Sequence, residues 1–225
     1  MRQIESSNLS DIIAEYISDK IIKMEFKPGD KIVETKIAKK LNVSHSPIRE
    51  ALRILERNRL VELIPRKGAY VTEIAPSHIE SLFEILCELL VLVGKKCIKK
   101  DAPATLKRIN KASKAAVRAE KNNDNDSLYN SIIEFGIACL EGCDDALLKQ
   151  IIYELLPSLR RILYLSISYR DEKMTQHIDL LINGTKAIND KDANKAEKIL
   201  RKWITIEKEF CLSFLISLNN QVNPT

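Results

Sequence analysis

The stretch VSHSPIREALRILE, residues 43–56, places a short polar turn directly before a strongly patterned helix. Three apolar residues recur in it at spacings of four and three: Ile48, Leu52 and Leu55. That spacing puts them on one face of a helix, so that Arg49 and Arg53 fall on the opposite, outward face. The stretch therefore predicts a helix with an apolar inner side and a cationic outer side.

The residues before this helix have the chemistry of a tight turn followed by a helix start. Asn42 tolerates the left-handed backbone conformation that such a turn needs. Ser44 or Ser46 can cap the helix, and Pro47 is acceptable because it falls in the first turn.

The surrounding pattern extends this helix to a recognisable domain. Apolar spacing predicts an amphipathic helix over residues 9–24 and a short helix over 34–41. Residues 60–74 are rich in β-branched side chains around the turn PRKG, and they predict a small hairpin with a basic tip. Helix, helix, turn, helix and hairpin is the order of a winged helix-turn-helix domain, which we assign to residues 1–75.

From residue 76 onwards the chain shows only helical patterns. The predicted helices span 77–99, 104–122, 127–140, 146–168 (interrupted at Pro157), 172–189 and 193–218. We therefore expect a mainly α protein whose residues 76–225 form an all-helical bundle of about six helices.

Charge and composition narrow the class of protein. The net charge is only +5, but residues 36–67 hold nine Lys/Arg and three Asp/Glu, a local surplus of six. Such a window is typical of a phosphate-binding surface, although solvated helix faces also collect Lys and Arg. We find no signal peptide and no membrane-length apolar run, so we expect a cytoplasmic protein. The five cysteines are expected to be reduced and buried.

In a helix-turn-helix protein the second helix lies in the DNA major groove, where an arginine can contact guanine through two hydrogen bonds. The candidate DNA-binding residues lie on this helix, on the preceding one and at the hairpin tip: Thr35, Lys36, Ser44, His45, Ser46, Pro47, Arg49, Arg53, Arg66, Lys67 and Gly68. Two such helices on a two-fold axis would read a palindromic operator, so we expect a homodimer. No motif of an enzyme is present.

The run KPGDKIVETKIAKKLNVSHSPIREALRILERNRLVELIPRKGAYV, residues 27–71, closely resembles the DNA-binding domain of GntR-type bacterial repressors. The resemblance is to the branch with an all-helical FCD effector domain, related to the fatty-acid regulator. It implies a transcriptional regulator, with repression as its mode. Two residues depart from the family pattern. His45 stands where the family usually has Arg, which implies altered or weaker readout, and Arg59 stands where the family usually has Gly. We expect Asn58 to supply part of the missing flexible cap.

FCD domains commonly hold a divalent metal through one Asp and three His. At the corresponding positions this chain has Ile132, Gly136, Leu181 and Trp203. None of these side chains can coordinate a metal, so no cofactor is expected. His177, near Asp179, is interpreted as an ordinary surface residue.

The bundle interior should then be apolar, and two interpretations stay open. The space is packed shut, or it is a pocket for an apolar or acyl effector. The candidate effector residues are Phe135, Arg160, Tyr164, Leu181 and Trp203, with Arg161 as a further head-group contact. The alternative function is a winged-helix sensor or scaffold with weakened DNA binding and no effector pocket.

Overall fold

The computed structural model describes the backbone of residues 2–170 and 174–222 and the side chains of residues 9–170 and 174–215. The chain divides into two compact units. The first contains residues 1–75 and 154–162, and the second contains residues 76–153 and 163–225.

Residues 1–75 of the first unit form three helices and a three-stranded antiparallel sheet. In chain order its elements are α1 (Arg2–Ile22), β1 (Lys31–Ile32), α2 (Glu34–Leu41), α3 (His45–Arg57), β2 (Val61–Ile64) and β3 (Gly68–Val71). The strand order is β1-β3-β2, with Val61 opposite Val71 and Lys31 opposite Tyr70. This is the predicted winged helix-turn-helix fold, with one strand, β1, that the sequence pattern did not predict.

One apolar core holds these elements together. The predicted inner face of α3 is fully buried, and α1 packs against it through Ile13, Ile17 and Ile21. Asn42 adopts the predicted left-handed conformation, with φ 54° and ψ 48°. The turn between α2 and α3 is therefore tight, and it fixes the direction in which α3 leaves the core.

The second unit is helical throughout its described residues, which confirms the predicted mainly α fold. Its six helices are α4 (Pro76–Lys100), α5 (Pro103–Lys121), α6 (Asn125–Gly142), α7 (Ala146–Tyr169), α8 (Thr175–Asn189) and α9 (Ala193–Val222). Helix α5 packs against α6 and α8, and α9 packs against α4 and α8. Four of the five cysteines are buried as free thiols, and Cys87 is half-buried.

Helix α7 differs from its prediction because it continues through Pro157 without a break. A proline removes one backbone donor and crowds the preceding turn, which often ends a helix. Here buried residues lie on both sides of it, Ile152 before and Ile162 after, so each half of the helix has packing contacts of its own. Residues 154–162 of this helix group with the first unit.

Candidate nucleic-acid interface

Helix α3 separates its two faces as its sequence pattern predicts. Ser44 occupies the N-cap position in an extended conformation, but its side chain makes no capping hydrogen bond. Ile48, Ala51, Leu52 and Leu55 are buried. The opposite face exposes the candidate base-contacting residues: His45, Ser46, Arg49 and Arg53. Because the buried face is anchored in the core, the helix is held rigidly with its cationic face in solvent.

Glu34, at the start of α2, orients two residues of this face. Arg49 Nε donates a hydrogen bond to Glu34 Oε2 at 3.0 Å, and His45 Nδ1 lies 3.6 Å from the same oxygen. The Arg49 side chain is nevertheless 66% exposed. Its two terminal nitrogens therefore remain available as paired donors, the arrangement that matches the O6 and N7 atoms of guanine. Arg53 pairs with Glu50 at 2.5 Å on the same surface.

The other candidates lie on α2 and at the hairpin tip. Thr35 and Lys36 are exposed in the first turn of α2, and Pro47 is half-buried. The turn between β2 and β3 exposes Arg66, Lys67 and Gly68, and two of these residues have positive φ, Arg66 at 64° and Gly68 at 105°. The wing therefore presents two cations on a tight turn.

The end of α3 differs from its prediction at Asn58. This residue is not left-handed, with φ at −78°, whereas Arg59 is, with φ at 57°. Leu60 N–H donates to Leu55 O at 3.0 Å and Arg59 N–H donates to Glu56 O at 2.9 Å. This pair of bonds is a Schellman motif, which requires the left-handed residue at position 59. The family's glycine therefore has a conformational reason, and here an arginine adopts that conformation.

Thr72, just after β3, fixes this helix end from the other side. Its hydroxyl donates to Arg59 O at 2.8 Å, and its N–H donates to Leu60 O at 3.1 Å. Arg161, in the part of α7 that groups with the first unit, donates to Thr72 O at 2.9 Å and to Thr72 Oγ1 at 3.1 Å. Burial lowers the pKa of Arg161 to about 10, which leaves it charged at neutral pH. Sequence reasoning missed this contact because the two residues are 89 positions apart.

The candidate effector residues are placed in different surroundings. Arg160 groups with the first unit, where its Nη2 lies 3.3 Å from Asp19 Oδ1. Phe135 packs against the buried cluster of α4, α5 and α6, and Leu181 is half-buried. Tyr164 donates to Asp126 Oδ1 at 3.2 Å, and Trp203 stands edge-on to His177 with ring centroids 6.1 Å apart.

By the sequence resemblance, the family's four metal ligands correspond to positions 132, 136, 181 and 203. The residues found there do not fit a metal ion. Ile132, Leu181 and Trp203 have hydrocarbon or indole side chains, and Gly136 has none. Metal ligands need a carboxylate, imidazole, thiolate or carbonyl donor, which these side chains lack. In the described part of the chain, no group of three His, Cys, Asp or Glu side chains is arranged to hold a metal ion.

His177 is not a surface residue, because only 3% of it is exposed. Its Nε2 lies 2.6 Å from Oε1 of the fully buried Glu207, although the two atoms are not aligned as a hydrogen bond. Arg170 Nη2 donates to the same oxygen at 3.1 Å, and Ser166 donates to Glu207 Oε2 at 2.6 Å. Burial would raise the pKa of Glu207, but the His177 contact and the charge of Arg170 outweigh it and lower that pKa. Apolar helical patterns on α7, α8 and α9 concealed this polar cluster.

A winged helix-turn-helix unit in which the second helix of the motif, here α3, exposes a cationic face is typical of DNA-binding regulators. The model of the gntR family of bacterial regulatory proteins matches residues 9–71, and that of the FCD domain matches residues 81–205. The chain therefore belongs to the GntR family of transcriptional regulators, in its FCD branch. This confirms the resemblance and the expectation of a regulator rather than an enzyme.

Individual relatives agree with this family. The chain is 28% identical to the uncharacterized HTH-type transcriptional regulator YdhC of Bacillus subtilis, over 82% of this chain and 72% of that protein. It is 26% identical to the gluconate operon transcriptional repressor of Bacillus subtilis, over 80% of this chain and 75% of the repressor.

Solved structures share the fold. McbR/YncC of E. coli matches with a TM-score of 0.77 at 19% identity, over 96% of this chain and 99% of that one. A putative GntR regulator from Rhodococcus sp. RHA1 matches with a TM-score of 0.73 at 20% identity, over 91% and 97% of the two chains. Within residues 2–170 and 174–222, no helix is long and apolar enough to cross a membrane.

Proposed function

We propose that this regulator is a repressor that binds a palindromic operator as a homodimer and responds to a small effector in its helical unit. Helix α3 lies in the major groove, where Arg49 and Arg53 contact base edges and His45, Ser44, Ser46 and Pro47 line the helix start. The phosphate contacts come from α2 and the wing: Thr35, Lys36, Arg66, Lys67 and Gly68. The similarity to a gluconate operon repressor supports repression as the mode of action.

The geometry of Arg49 carries this proposal. Its Nε is held by Glu34 while most of the side chain is exposed, so the guanidinium is oriented before DNA arrives. An oriented donor pair loses less conformational entropy on binding than a free side chain does. His45 stands where the family usually has an arginine, and it lies against the same carboxylate.

For the effector we propose an apolar or acyl molecule bound without a metal. The support is the residue chemistry. Leu181 and Trp203 offer apolar surface at two positions where the family usually has metal ligands, Phe135 lies next to a third such position, Gly136, and Tyr164 offers a hydroxyl. A side chain placed at Gly136 would meet no atom within 4 Å, so space is present at the position of a missing ligand. Arg160 lies in the first unit, where it pairs with Asp19, and it is left out of this proposed site.

Arg49→Ala tests the proposed role of α3. The operator is first selected from random duplexes, and affinities for it and for an unrelated duplex are then measured by fluorescence anisotropy. Loss of a two-bond guanine contact costs about 1–3 kcal/mol, so operator affinity should fall about 5- to 150-fold. Affinity for the unrelated duplex should change much less.

Lys36→Ala is the matched control, because it removes an exposed cation proposed to contact phosphate. This variant should lower the affinity for both duplexes by the same factor. It should also reduce the slope of log affinity against log salt concentration by about 0.9. If Arg49→Ala behaves in the same way as Lys36→Ala, or changes nothing, α3 is not the base-reading element.

A further inference from the structure

A groove of about 630 Å³ runs along the surface of the second unit between α5 and α8. Its volume is within the range of small-molecule binding sites, about 300–1,000 Å³. Its lining contains three cations and no acidic residue: Lys114, Arg118 and Lys186. The groove is therefore a positively charged depression built from two helices.

The floor of the groove is a ladder of side-chain pairs that sets α5 and α8 antiparallel. At one end Asn110 and Asn189 exchange two amide hydrogen bonds, each 3.0 Å long. The next pair is formed by the hydroxyls of Thr185 and Ser113, which are 3.0 Å apart and buried. Continuing one turn further in the same register brings Val117 opposite Ile182, and both line the groove.

This ladder is a rigid brace and not a set of ligand donors. The second proton of the Asn110 amide goes to Leu106 O at 2.8 Å, and that of the Asn189 amide goes to Thr185 O at 2.8 Å. Both amide nitrogens thus have their donors satisfied. Any hydrogen bonds to a ligand must come from the charged rim.

The rim cations lack the acidic partners that many other cations of this unit have. Among the described residues of this unit, acidic side chains pair with nine Lys or Arg: Lys95, Lys96, Lys100, Arg108, Lys149, Arg170, Lys191, Arg201 and Lys208. Lys114, Arg118 and Lys186 have no acidic partner among the described side chains, and all three are exposed. Lys114 and Arg118 are also one turn apart on α5, where like charges repel each other. An anion bound between them would relieve this repulsion.

We propose that this groove binds a small organic oxyanion with at least two negative charges, a phosphate monoester or a dicarboxylate, at a site separate from the effector position proposed above. Lys114 and Lys186 flank the Ser113–Thr185 pair from opposite helices and hold one charged group. Arg118 binds a second group through its planar set of donors. The Val117–Ile182 pair contacts a short apolar skeleton, since 43% of Ile182 is exposed.

The length of the groove favours a small molecule over a polymer. Asn110 and Arg118 are eight residues apart on α5, which spans about 12 Å along the helix axis. Two further exposed cations of α5, Lys107 and Lys121, lie beyond the lining residues at either end. Charge is therefore present along the whole helix, but only its middle is matched by a cation on α8.

The full-length protein can be titrated with phenyl phosphate and with succinate by isothermal calorimetry at constant ionic strength. We expect saturable binding of one of these probes, and the identity of the probe separates phosphate from carboxylate recognition. In the double variant Lys114→Gln with Lys186→Gln, the dissociation constant should rise at least about tenfold, because two charge-assisted hydrogen bonds are lost. Glutamine preserves helix propensity, and a thermal melt verifies that the variant is folded.

The double variant Lys107→Gln with Lys121→Gln is the matched control, because it removes the same charge from the same helix outside the groove. Its dissociation constant should rise clearly less than that of the groove variant, because neither lysine lines the groove and exposed charges outside it are partly screened. Absence of saturable binding to both probes, or an equal loss in the two variants, overturns the proposal. If neither probe binds and both double variants lose the same affinity for a non-operator duplex, the surface would instead be assigned to DNA phosphates.

Discussion

Arg59 shows how a single backbone angle explains a departure from a family pattern. The Schellman motif that ends α3 needs a left-handed residue, and Arg59 takes that conformation with φ at 57°. For a residue with a Cβ atom this conformation costs roughly 1–2 kcal/mol. The Thr72 hydroxyl bonds to the Arg59 carbonyl and helps to hold the strained residue in place.

Arg59→Gly should therefore stabilise the first unit. Relief of the left-handed strain outweighs the larger entropy of a glycine in the unfolded chain, with a net gain of about 0.5–1 kcal/mol. Thermal and urea unfolding of the full chain measure this gain. Arg57→Gly is the control, since it removes the same charge from the last residue of α3 and should destabilise by up to about 1 kcal/mol. A loss of stability in Arg59→Gly would mean that its side chain, not its backbone, matters.

At the scale of elements, helices with a strong apolar period were predictable and short or exceptional features were not. The stripe Ile48, Leu52 and Leu55 determines both the existence and the orientation of α3, because no other face could be buried. Strand β1 has only two residues, too few for an alternating pattern, and it forms because β3 offers a free edge. The candidate DNA-binding residues of α3 follow from its period, whereas the Glu34 contact depends on how α2 and α3 pack.

The cluster around Glu207 joins three helices that the sequence treats as separate. Ser166 and Arg170 are on α7, His177 is on α8, and Glu207 is on α9. A periodic pattern reports only that a position faces inward, so a buried ion pair between distant helices leaves no local signal. A buried carboxylate is stable only when such partners satisfy it.

Glu207→Gln tests this cluster through the pH dependence of stability. The folded pKa of Glu207 is lowered, so its contribution to stability is present above the unfolded value near pH 4.3. It is lost as pH falls through the folded pKa, because the unfolded state then binds the proton more readily. Above pH 5 the variant should lose about 3–5 kcal/mol of unfolding free energy, since Arg170 and His177 are left without a carboxylate.

Urea unfolding between pH 3 and pH 7 gives the comparison. The difference in unfolding free energy between wild type and Glu207→Gln should shrink as the solution becomes more acid. Glu209→Gln, an exposed position on the same helix, should follow the wild-type profile at every pH. A constant difference across the range would show that Glu207 is not ionised in the folded protein.

For the whole molecule, the two proposed sites place different partners on different charged surfaces. In the proposed DNA interface, the exposed cations of α2, α3 and the wing meet one long polyanion, for which each phosphate contact adds affinity and salt sensitivity. The cations of the α5 groove face a short concave surface, which suits a compact ligand. One net charge of +5 therefore describes neither surface.

The proposed homodimer makes a geometric prediction about the operator. Two α3 helices related by a two-fold axis read half-sites on one side of the duplex, so inserting 5 base pairs between them turns one half-site to the opposite side. Affinity should then fall to that of a single half-site. Inserting 10 base pairs should return both half-sites to the same side of the duplex, although they are then farther apart. Native mass spectrometry of the original complex should find two chains per duplex, no stoichiometric divalent metal, and any apolar effector retained from purification. Equal affinity for the original and the 5-base-pair operators would mean that the chains bind independently, because only a fixed two-fold arrangement makes the rotational phase of the half-sites matter.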